Sequence, residues 1–380
     1  MTARTGIIGM AQTPYLPAHP ARHITELVYE AVRSALDDAG LEISDIENVV
    51  SCSTDFLDGR TISNRTIPEA EGAYLKSEAK VAGDGAQAAL YGALRVMSGK
   101  YRTTLVVAHS KMSETNQNVI ANAMFDPLFQ RHLGLDDVSA AAFQARAYLD
   151  KHGLEERAMA EAAAASLCNA LDNPMVHRNL SCTPETVMES RMLARPIREL
   201  MARPVTDGAC AIVMADEKTA QERSKTPVWV EGFGISTDAF FLGDRDLARQ
   251  PALEEAAARA FAMADVTSPP KEIGLVEITD YFAHQSLMAL EGLGLAEEGR
   301  AHELYEGGEF CREGRLPVNP SGGVLGGNPL CVAGLTRVME CARQLTGKAG
   351  PCQAREANKA VAQGSWGPAG QSQCVLVLGT

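Results

Sequence analysis

The nine cysteines are the residues of this 380-residue chain best suited to nucleophilic or redox chemistry. No two of them lie closer than ten residues, which excludes a Cys-x-x-Cys pair for a zinc knuckle or a dithiol redox centre. Dispersed cysteines are typical of a reducing compartment, so we expect a cytoplasmic protein. The eight histidines show no spacing typical of a metal site, and we expect no bound metal.

A glycine-dense segment at residues 316–330 is the sharpest local feature of the sequence. Four of six consecutive positions are glycine: Gly322, Gly323, Gly326 and Gly327. Glycine costs backbone entropy, so the folded state must need these residues. We expect a tight turn that feeds a helix near Pro329 and turns backbone N–H groups toward a ligand. The segment lacks the lysine of GxxxxGK[ST], which excludes a nucleotide P-loop.

The charge balance excludes two classes of partner. The chain has 35 Lys+Arg and 48 Asp+Glu residues, a net charge of −13, whereas nucleic acids and anionic membranes need clustered cations. Its largest basic group also contains glutamates and is interpreted as a solvated helix face: Arg191, Arg195, Arg198 and Arg203. No window approaches about 18 apolar residues, and the first residues do not resemble a signal peptide.

Short apolar runs alternate with helical patterns along the chain and predict the elements that must position these residues. Runs at 6–9, 49–52, 104–108, 210–214, 228–230, 274–278 and 374–378 predict strands that are covered on both faces. Apolar spacing predicts helices at 25–39, 86–97 and 140–150, the first of which ends at Gly40. This alternation is typical of an α/β fold.

Residues 24–50 and 252–278 are similar to each other, since both read as helix, turn, connector and strand. This long-period repeat predicts two similar α/β halves that meet near residues 220–230, although Ala-rich helices also resemble each other by chance. Residues 114–204 interrupt the first half with a mostly helical stretch. We interpret it as an inserted loop domain that covers a site.

Four ordered motifs resemble those of the thiolase superfamily, in particular its sterol-carrier-protein-thiolase-like (non-specific lipid-transfer thiolase) branch. VNPSGGVLGGNP at 318–329 resembles the family's Asn-x-x-Gly-Gly and Gly-His-Pro signature. PVTDGA at 204–209, SKMS at 110–113 and EITDYF at 277–282 resemble further family segments in the same order. The resemblance covers nearly the whole chain and implies the thiolase fold.

That fold has two duplicated βαβαβαββ halves in a five-layer αβαβα arrangement with an inserted helical loop domain. The resemblance places the N-terminal half at residues 1–225, including the loop domain at about 114–204. The C-terminal half then comprises residues 226–380.

The resemblance also locates the family's nucleophile, and this sequence departs from it. A thiolase uses the cysteine of Cys-x-[Ser/Thr]-Gly, 17 residues before the glycine of a turn that is here Gly99. Counting back places Ala82 at the nucleophile and Asp84 at the usual Ser or Thr. Because alanine carries no lone pair, the covalent acyl-enzyme route is closed at this position.

The other catalytic positions are replaced as well. Asn328 stands where the family has the histidine that activates the nucleophile, and its amide could donate to an oxyanion. Thr279 replaces the histidine that binds the thioester oxygen. Tyr281 replaces the branch's acid–base cysteine and is the candidate base if its pKa is lowered. His284 and His109 are weaker candidates, since a lone histidine is more often a packing residue.

The resemblance implies a CoA thioester as substrate and no covalently bound cofactor. The glycines that it places beside this substrate are Gly322, Gly323, Gly327 and Gly367. No basic cluster stands out that could hold the CoA phosphates, which favours a partner chain that completes the nucleotide site.

Three functions remain open at this point. The chain could act on acyl-CoA thioesters in carbon–carbon bond cleavage or formation without a cysteine nucleophile, as the thiolase-like subunit of a hetero-oligomeric acyltransferase. It could be an aldolase-type lyase that cleaves a β-hydroxyacyl-CoA with Tyr281 as base. It could also be a non-catalytic binding or scaffold subunit.

The resemblance finally implies partners of two kinds. We expect a homodimer formed through the strand around residues 104–108. We also expect either a small OB-fold/zinc-ribbon partner subunit or a paralogous thiolase chain, and neither nucleic acid nor membrane.

Overall fold

The structure is a computed structural model that describes residues 4–59 and 61–380. Within these residues the strands form one nine-stranded sheet and one two-stranded hairpin. The strands are β1 (Thr5–Gln12), β2 (Asn48–Cys52), β3 (Ser77–Val81), β4 (Thr103–Lys111), β5 (Met192–Ala194), β6 (Ile197–Arg198), β7 (Asp207–Asp216), β8 (Val228–Thr237), β9 (Leu275–Glu277), β10 (Lys359–Trp366) and β11 (Ser372–Gly379).

Helices connect most of these strands. They are α1 (Ile24–Ala39), α2 (Asp55–Asp58), α3 (Gly85–Met97), α4 (Gln117–Ala123), α5 (Asp137–His152), α6 (Glu156–Ala170), α7 (Pro184–Glu189), α8 (Glu217–Arg223), α9 (Pro251–Met263), α10 (Pro269–Glu272), α11 (Ala283–Gly292), α12 (Ala301–Glu306) and α13 (Ala333–Leu345). Gly40 ends α1 with a φ of 62°, as its position predicted. Across the described residues, no helix combines the length and apolar character that crossing a bilayer requires.

The large sheet repeats one strand pattern on either side of its centre. Its order is β3-β2-β4-β7-β1-β8-β11-β10-β9, and β1 pairs with β8 in antiparallel fashion. In the first half β2 runs parallel to β3 and β4, while β7 is antiparallel to β4 and β1. In the second half β9 runs parallel to β10, while β11 is antiparallel to β10 and β8. A parallel bridge between Val276 and Val318 extends this half by one short pairing.

Two central helices lie between the two halves of the sheet. α3 contacts β2 and β4 of the first half and β10 and β11 of the second, and α13 contacts β9, β10, β1 and β7. α1 covers the outer face of β1, β4 and β7, and α9 covers the outer face of β8 and β11. This arrangement confirms the predicted five-layer αβαβα fold. Small residues permit it, since a Cβ on Gly92 of α3 would lie 2.5 Å from Val106 Cγ2.

The chain leaves the sheet after β4 and returns at β7. Between them lie α4, α5, α6, α7 and the β5–β6 hairpin. The four arginines interpreted as a helix face lie here, and that interpretation is wrong. Arg191 directly precedes the hairpin, Arg195 and Arg198 lie within it, and Arg203 follows it, because α7 ends at Glu189, before the first of them.

The strand order of the sheet shows that the predicted dimer contact through residues 104–108 is wrong. β4, which contains residues 104–108, pairs with β2 on one side and β7 on the other, so it has no free edge. In the described part of the chain β3 pairs only with β2, and its residues are partly exposed. A second chain could therefore add to β3 but not to β4. The sequence SEAKV of β3 lacks an apolar run, which is why this strand was not predicted.

A buried carboxyl behind β3 generates a pH-dependent prediction. Glu71 is fully buried, and within the described residues neither of its oxygens has a hydrogen-bond partner. Burial, followed by the nearby Glu78, raises the pKa of Glu71 to about 9. The folded chain therefore holds a proton that the unfolded chain releases above its own, lower pKa. The contribution of Glu71 to stability is therefore greatest below about pH 5 and is lost as the pH rises toward 9.

We predict that Glu71→Gln removes this pH-dependent loss of stability. The difference in unfolding free energy between Glu71→Gln and wild type should grow by up to about 1.4 kcal/mol per pH unit between about pH 5 and about pH 9. Urea denaturation at several pH values measures it. Glu69→Gln, at an exposed position two residues away, is the control and should show no such growth. Parallel stability curves for Glu71→Gln and wild type would contradict the prediction.

Candidate active site

A cavity of about 340 Å³ lies between the inserted loop domain and the second half of the sheet. Its walls come from α2, α4, the turn before α11, residue 330 and the loop 366–370 that follows β10. Its apolar lining includes Phe56, Ile120, Phe125, Phe282, Leu330 and Trp366. An apolar cavity of this size suits the acyl part of a thioester.

Ala82 lines this cavity, just before the N-terminus of α3. No cysteine lines the cavity among the residues that the structure describes. The thiols of Cys52 and Cys331 lie nearby and are fully buried, and Cys52 Sγ is 3.5 Å from the carbonyl oxygen of Gly83. Burial raises the pKa of both thiols, so each stays a neutral, inert group.

Asp84 joins the two central helices from a fully buried position. It caps α3, where its Oδ1 accepts from the backbone N–H of Ala86 at 2.9 Å. Its Oδ2 accepts from the backbone N–H of Gly334, in the first turn of α13, at 3.0 Å. Burial raises the pKa of Asp84 to about 7 in spite of these bonds. This carboxyl can therefore take up or release a proton near neutral pH.

Two glycines make room for that carboxyl. A Cβ on Gly334 would lie 1.7 Å from Asp84 Oδ1, and one on Gly364 of β10 would lie 2.0 Å from the same atom. Neither glycine has the positive φ that by itself favours glycine, so close approach explains both.

Tyr281 connects Asp84 to the cavity. The ring lines the cavity, and its hydroxyl lies 3.1 Å from the carbonyl oxygen of Leu330 and 3.4 Å from Asp84 Oδ2. Burial, followed by the charge of Asp84, raises the pKa of Tyr281 well above 10. The lowered pKa that we required of a Tyr281 base is therefore not found. The neutral phenol can instead pass a proton between a ligand and Asp84.

Arg203 places a positive charge beside Tyr281. Its backbone N–H donates to the Tyr281 carbonyl at 2.9 Å, and its guanidinium lies 5.8 Å from the centre of the Tyr281 ring. The side chain is 9% exposed, lines the cavity and donates to Asp137 Oδ2 at 2.5 Å. Among the described residues, no other arginine or lysine lines the cavity.

The glycine-dense segment is buried and does not line the cavity, apart from Leu330 at its end. Two buried carboxylates hold the segment in place. Asp280 accepts from the Val324 N–H, and Glu277 accepts from the Ser321 N–H and hydroxyl. Its N–H groups are therefore not turned toward a ligand as we expected. The following helix begins at Ala333 and not near Pro329.

The four glycines predicted beside the substrate divide into two groups. Gly322, Gly323 and Gly327 face protein, since a Cβ on them would meet Ala170 at 2.6 Å, Asp280 at 2.5 Å and His177 at 2.7 Å respectively. All three have positive φ. Gly367 lines the cavity, with a φ of 83°.

Asn328 and Thr279 lie behind the cavity wall and not in it. The Asn328 amide donates to the Gly323 carbonyl at 3.2 Å, and its oxygen accepts from the fully buried Arg337 at 2.9 Å. The Thr279 hydroxyl contacts Gln363 at 3.1 Å and Ser365 at 3.0 Å. Both residues brace the site in this structure, and their catalytic roles stay predictions.

The two histidines are also buried. His284 Nε2 lies 3.0 Å from Gln144 Oε1, and the amide of Gln144 donates to the Ala369 carbonyl at 3.0 Å in the cavity wall. Burial lowers the pKa of His284 to about 3, so it stays neutral and positions that wall. His109 lies at the end of β4, where burial lowers its pKa despite the nearby Asp58. Neither lines the cavity.

Sequence reasoning thus located Ala82, Tyr281 and Gly367 in the cavity wall, and it did not single out Asp84 or Arg203, which lie beside Tyr281. Asp84 carried a signal, since it departs from the family's Ser or Thr beside a second departure at Ala82. Arg203 carried none, because its partner Tyr281 is distant in sequence.

Comparison with known proteins agrees with this fold. Residues 234–380 match the family model described as thiolase C-terminal domain-like. The chain is 31% identical over 356 residues to an acetyl-CoA acetyltransferase of Methanothermobacter thermautotrophicus, covering 91% of this chain and 92% of that protein. This chain belongs to the thiolase superfamily. The chain is also similar to the sterol carrier protein 2 of Homo sapiens, with 23% identity over 372 residues, 92% of this chain and 67% of that protein, which supports the sterol-carrier-protein-thiolase-like branch.

Two further proteins similar to this thiolase-superfamily chain are named as a lyase and as an aldolase. It is 27% identical over 369 residues to the 17-hydroxy-3-oxo-4-pregnene-20-carboxyl-CoA lyase of Mycobacterium tuberculosis, covering 91% of this chain and 92% of that protein. The solved Ltp2-ChsH2(DUF35) aldolase has a similar fold, with a TM-score of 0.86 and 21% identity over 99% of this chain and 98% of that chain.

The packing around Asp84 predicts that Gly334→Ala is strongly destabilising. Because the new methyl group would overlap the carboxylate, we expect a loss of about 3 kcal/mol in unfolding free energy. Gly243→Ala is the matched control, since a Cβ there meets nothing within 4 Å and should change stability by less than about 0.5 kcal/mol. In an Asp84→Ser background the cost of Gly334→Ala should fall. Equal costs in both backgrounds would contradict the proposed contact.

The cavity also predicts where a thiol would react. Ala82→Cys should add one cysteine that iodoacetamide alkylates readily, because residue 82 lines the cavity. Cys52 and Cys331 should react at least about tenfold more slowly, since they are buried. Peptide mass spectrometry after timed labelling measures this. Fast labelling of either native cysteine in the wild-type chain would show that a thiol does reach the site.

Proposed function

We propose that this chain catalyses carbon–carbon bond cleavage of a β-hydroxyacyl-CoA, an aldol-type lyase reaction, without a covalent acyl-enzyme. The observation that carries this proposal is that Tyr281 lines the cavity beside Ala82, at the position of the missing nucleophile, and lies 3.4 Å from Asp84 Oδ2 behind the wall. Thiolysis needs an attacking thiolate, whereas retro-aldol cleavage needs an acceptor for the hydroxyl proton and stabilisation of an enolate.

The proposed reaction balances without water or an oxidant. The substrate's β-hydroxyl gives its proton to the oxygen of Tyr281 as Tyr281 gives its own proton to Asp84. The Cα–Cβ bond breaks, its electrons form the thioester enolate, and the β-carbon becomes a ketone or aldehyde. The proton then returns from Asp84 through Tyr281 to the α-carbon, which yields a shorter acyl-CoA.

The raised pKa of Asp84 supports its role as proton acceptor. A carboxylate with an ordinary pKa would be a weak base, but burial raises the pKa of Asp84 to about 7. The phenol of Tyr281 bridges the remaining distance, since Asp84 itself does not line the cavity. The named lyase relative, which is related over nearly its whole length, supports the same reaction class.

We further propose that the chain works as the thiolase-like subunit of a complex. The similar solved structure is named as a two-component assembly that contains a DUF35 protein. Arg203 is the single cation of the described cavity lining, and one guanidinium is too few to hold the several phosphate charges of CoA. A small partner subunit that supplies those contacts, and a homodimer, are parts of this proposal.

The lyase predicts a specific effect of removing the Tyr281 hydroxyl. Tyr281→Phe should lower kcat for release of the ketone or aldehyde by at least about 100-fold, because the proton relay is cut. Release is measured by chromatography after incubation with a β-hydroxyacyl-CoA, with the chain alone and with its partner. Tyr305→Phe is the control, since Tyr305 is buried but does not line the cavity.

One further result would contradict the proton relay, and another would contradict the lyase itself. If Tyr281→Phe cleaves as fast as wild type, the relay is wrong. If the complex thiolyses acetoacetyl-CoA but the chain cleaves no β-hydroxyacyl-CoA, the chain is a degenerate or scaffold subunit whose partner holds the nucleophile.

Asp84 predicts the pH dependence of the reaction. Cleavage should rise with pH through an inflection near 7 between about pH 6 and about pH 8, since the carboxylate is the acceptor. Tyr281 and the thiols of Cys52, Cys331 and Cys374 face Asp84, and burial raises the pKa of each, so they stay neutral in this range. Asp84→Ser keeps a helix cap but should abolish the inflection. The same inflection in Asp84→Ser would exclude Asp84 as its source.

A further inference from the structure

The proposed lyase needs a group that stabilises the enolate, and the residues expected to do so are not in the cavity. The Asn328 amide donates to a backbone carbonyl behind the wall, and the glycine-dense segment is closed against Asp280 and Glu277. A negative charge that develops in an apolar cavity without a donor or a cation is strongly disfavoured.

We infer that Arg203 is the catalytic residue that stabilises the enolate oxygen in this cavity. This inference deepens the proposed lyase function and rests on it. Arg203 is the one cation in the lining that the structure describes, and it lies beside the group that starts the reaction.

The position of Arg203 is set by the backbone and not by its flexible side chain alone. Ala202 forms an antiparallel bridge with Phe282, and the Arg203 N–H donates to the Tyr281 carbonyl at 2.9 Å. The segment that carries Arg203 is thus bonded directly to the segment that carries Tyr281. The two side chains enter the cavity from one support.

The guanidinium keeps donors for a ligand. Arginine has five N–H donors, and within the described residues the side chain of Arg203 donates to Asp137 alone. Asp137 starts α5 and also lines the cavity, so the ion pair holds the guanidinium at the wall. With 91% of the side chain buried (9% exposed), its charge acts in a low-dielectric environment.

The charge has a second effect on the same reaction. Arg203 favours negative charge on the Tyr281 oxygen, in opposition to burial and Asp84. The proton relay passes through a point at which that oxygen carries partial negative charge. A cation 5.8 Å from the ring centre therefore assists proton transfer as well as enolate formation.

The test compares two CoA thioethers of nearly the same shape, one charged and one neutral. S-carboxymethyl-CoA presents a carboxylate one bond beyond the position of the thioester carbonyl, next to where the enolate oxygen would lie, and S-carbamoylmethyl-CoA presents a neutral amide at the same place. Calorimetric titration of the full chain, with its partner subunit where one is required, measures both. Wild type should bind the carboxylate at least about tenfold more tightly than the amide.

Arg203→Met should remove that preference while it changes amide binding by less than about threefold. Arg203→Lys should retain part of it. In turnover, Arg203→Met should lower kcat by about 100-fold with a small change in KM, because the lost interaction belongs to the transition state. Arg198→Met is the matched control, since Arg198 is partly buried and paired with Glu156 but does not line the cavity.

The outcomes separate the inference from the lyase itself. Wild type that shows no preference for the carboxylate, or a preference that survives in Arg203→Met, would overturn the assignment of Arg203. A preference that depends on Arg203 in a chain that cleaves no β-hydroxyacyl-CoA would contradict the lyase and leave Arg203 as an anion-stabilising residue.

Discussion

The carboxylate of Asp84 is the point at which the two halves of this fold and its site meet. It caps α3 from the first half and accepts from the first turn of α13 in the second half. Because α3 and α13 form the layer between the two halves of the sheet, a group that joins their N-terminal ends fixes the halves relative to each other. Two helix N-termini that converge on one carboxylate also partly offset the cost of burying it.

That shared position has a chemical consequence. A thiolase nucleophile at residue 82 would lie at the end of the same helix, so the fold already concentrates positive backbone dipoles here. In this chain the nucleophile is alanine, and the charge at the helix end is moved two residues onward, to a carboxylate. In the proposed mechanism the site keeps a negative charge at this helix end but uses a proton-transferring carboxylate instead of an attacking sulfur. Tyr281 and Arg203 complete this exchange on the cavity side.

Much of the architecture could be predicted from the sequence, because continuous apolar runs report buried strands and motif order reports the fold. β3 was not predicted because an edge strand with polar residues has no apolar run. The prediction that β4 forms the dimer contact was wrong because the local sequence of a strand does not show whether it lies inside a sheet or at its edge. The cavity position of Tyr281 followed from motif alignment. Arg203 could not be found, since a charged residue among other charges looks like surface until a backbone bridge brings it to Tyr281. For the glycine-dense segment we predicted ligand contacts that the structure does not show. Its glycines allow close packing against Ala170, Asp280 and His177, and composition alone does not distinguish this requirement from ligand binding.

The central claim is that this thiolase fold breaks a carbon–carbon bond without an acyl-enzyme, and quenched turnover with intact-protein mass spectrometry tests it most directly. The chain and its partner would be incubated with a β-hydroxyacyl-CoA, quenched during turnover, and analysed for both protein mass and products. The account predicts equal amounts of a ketone or aldehyde and a shorter acyl-CoA, no requirement for free CoA, and an unchanged mass of this chain. An acyl adduct on this chain, or cleavage that requires free CoA, would contradict it.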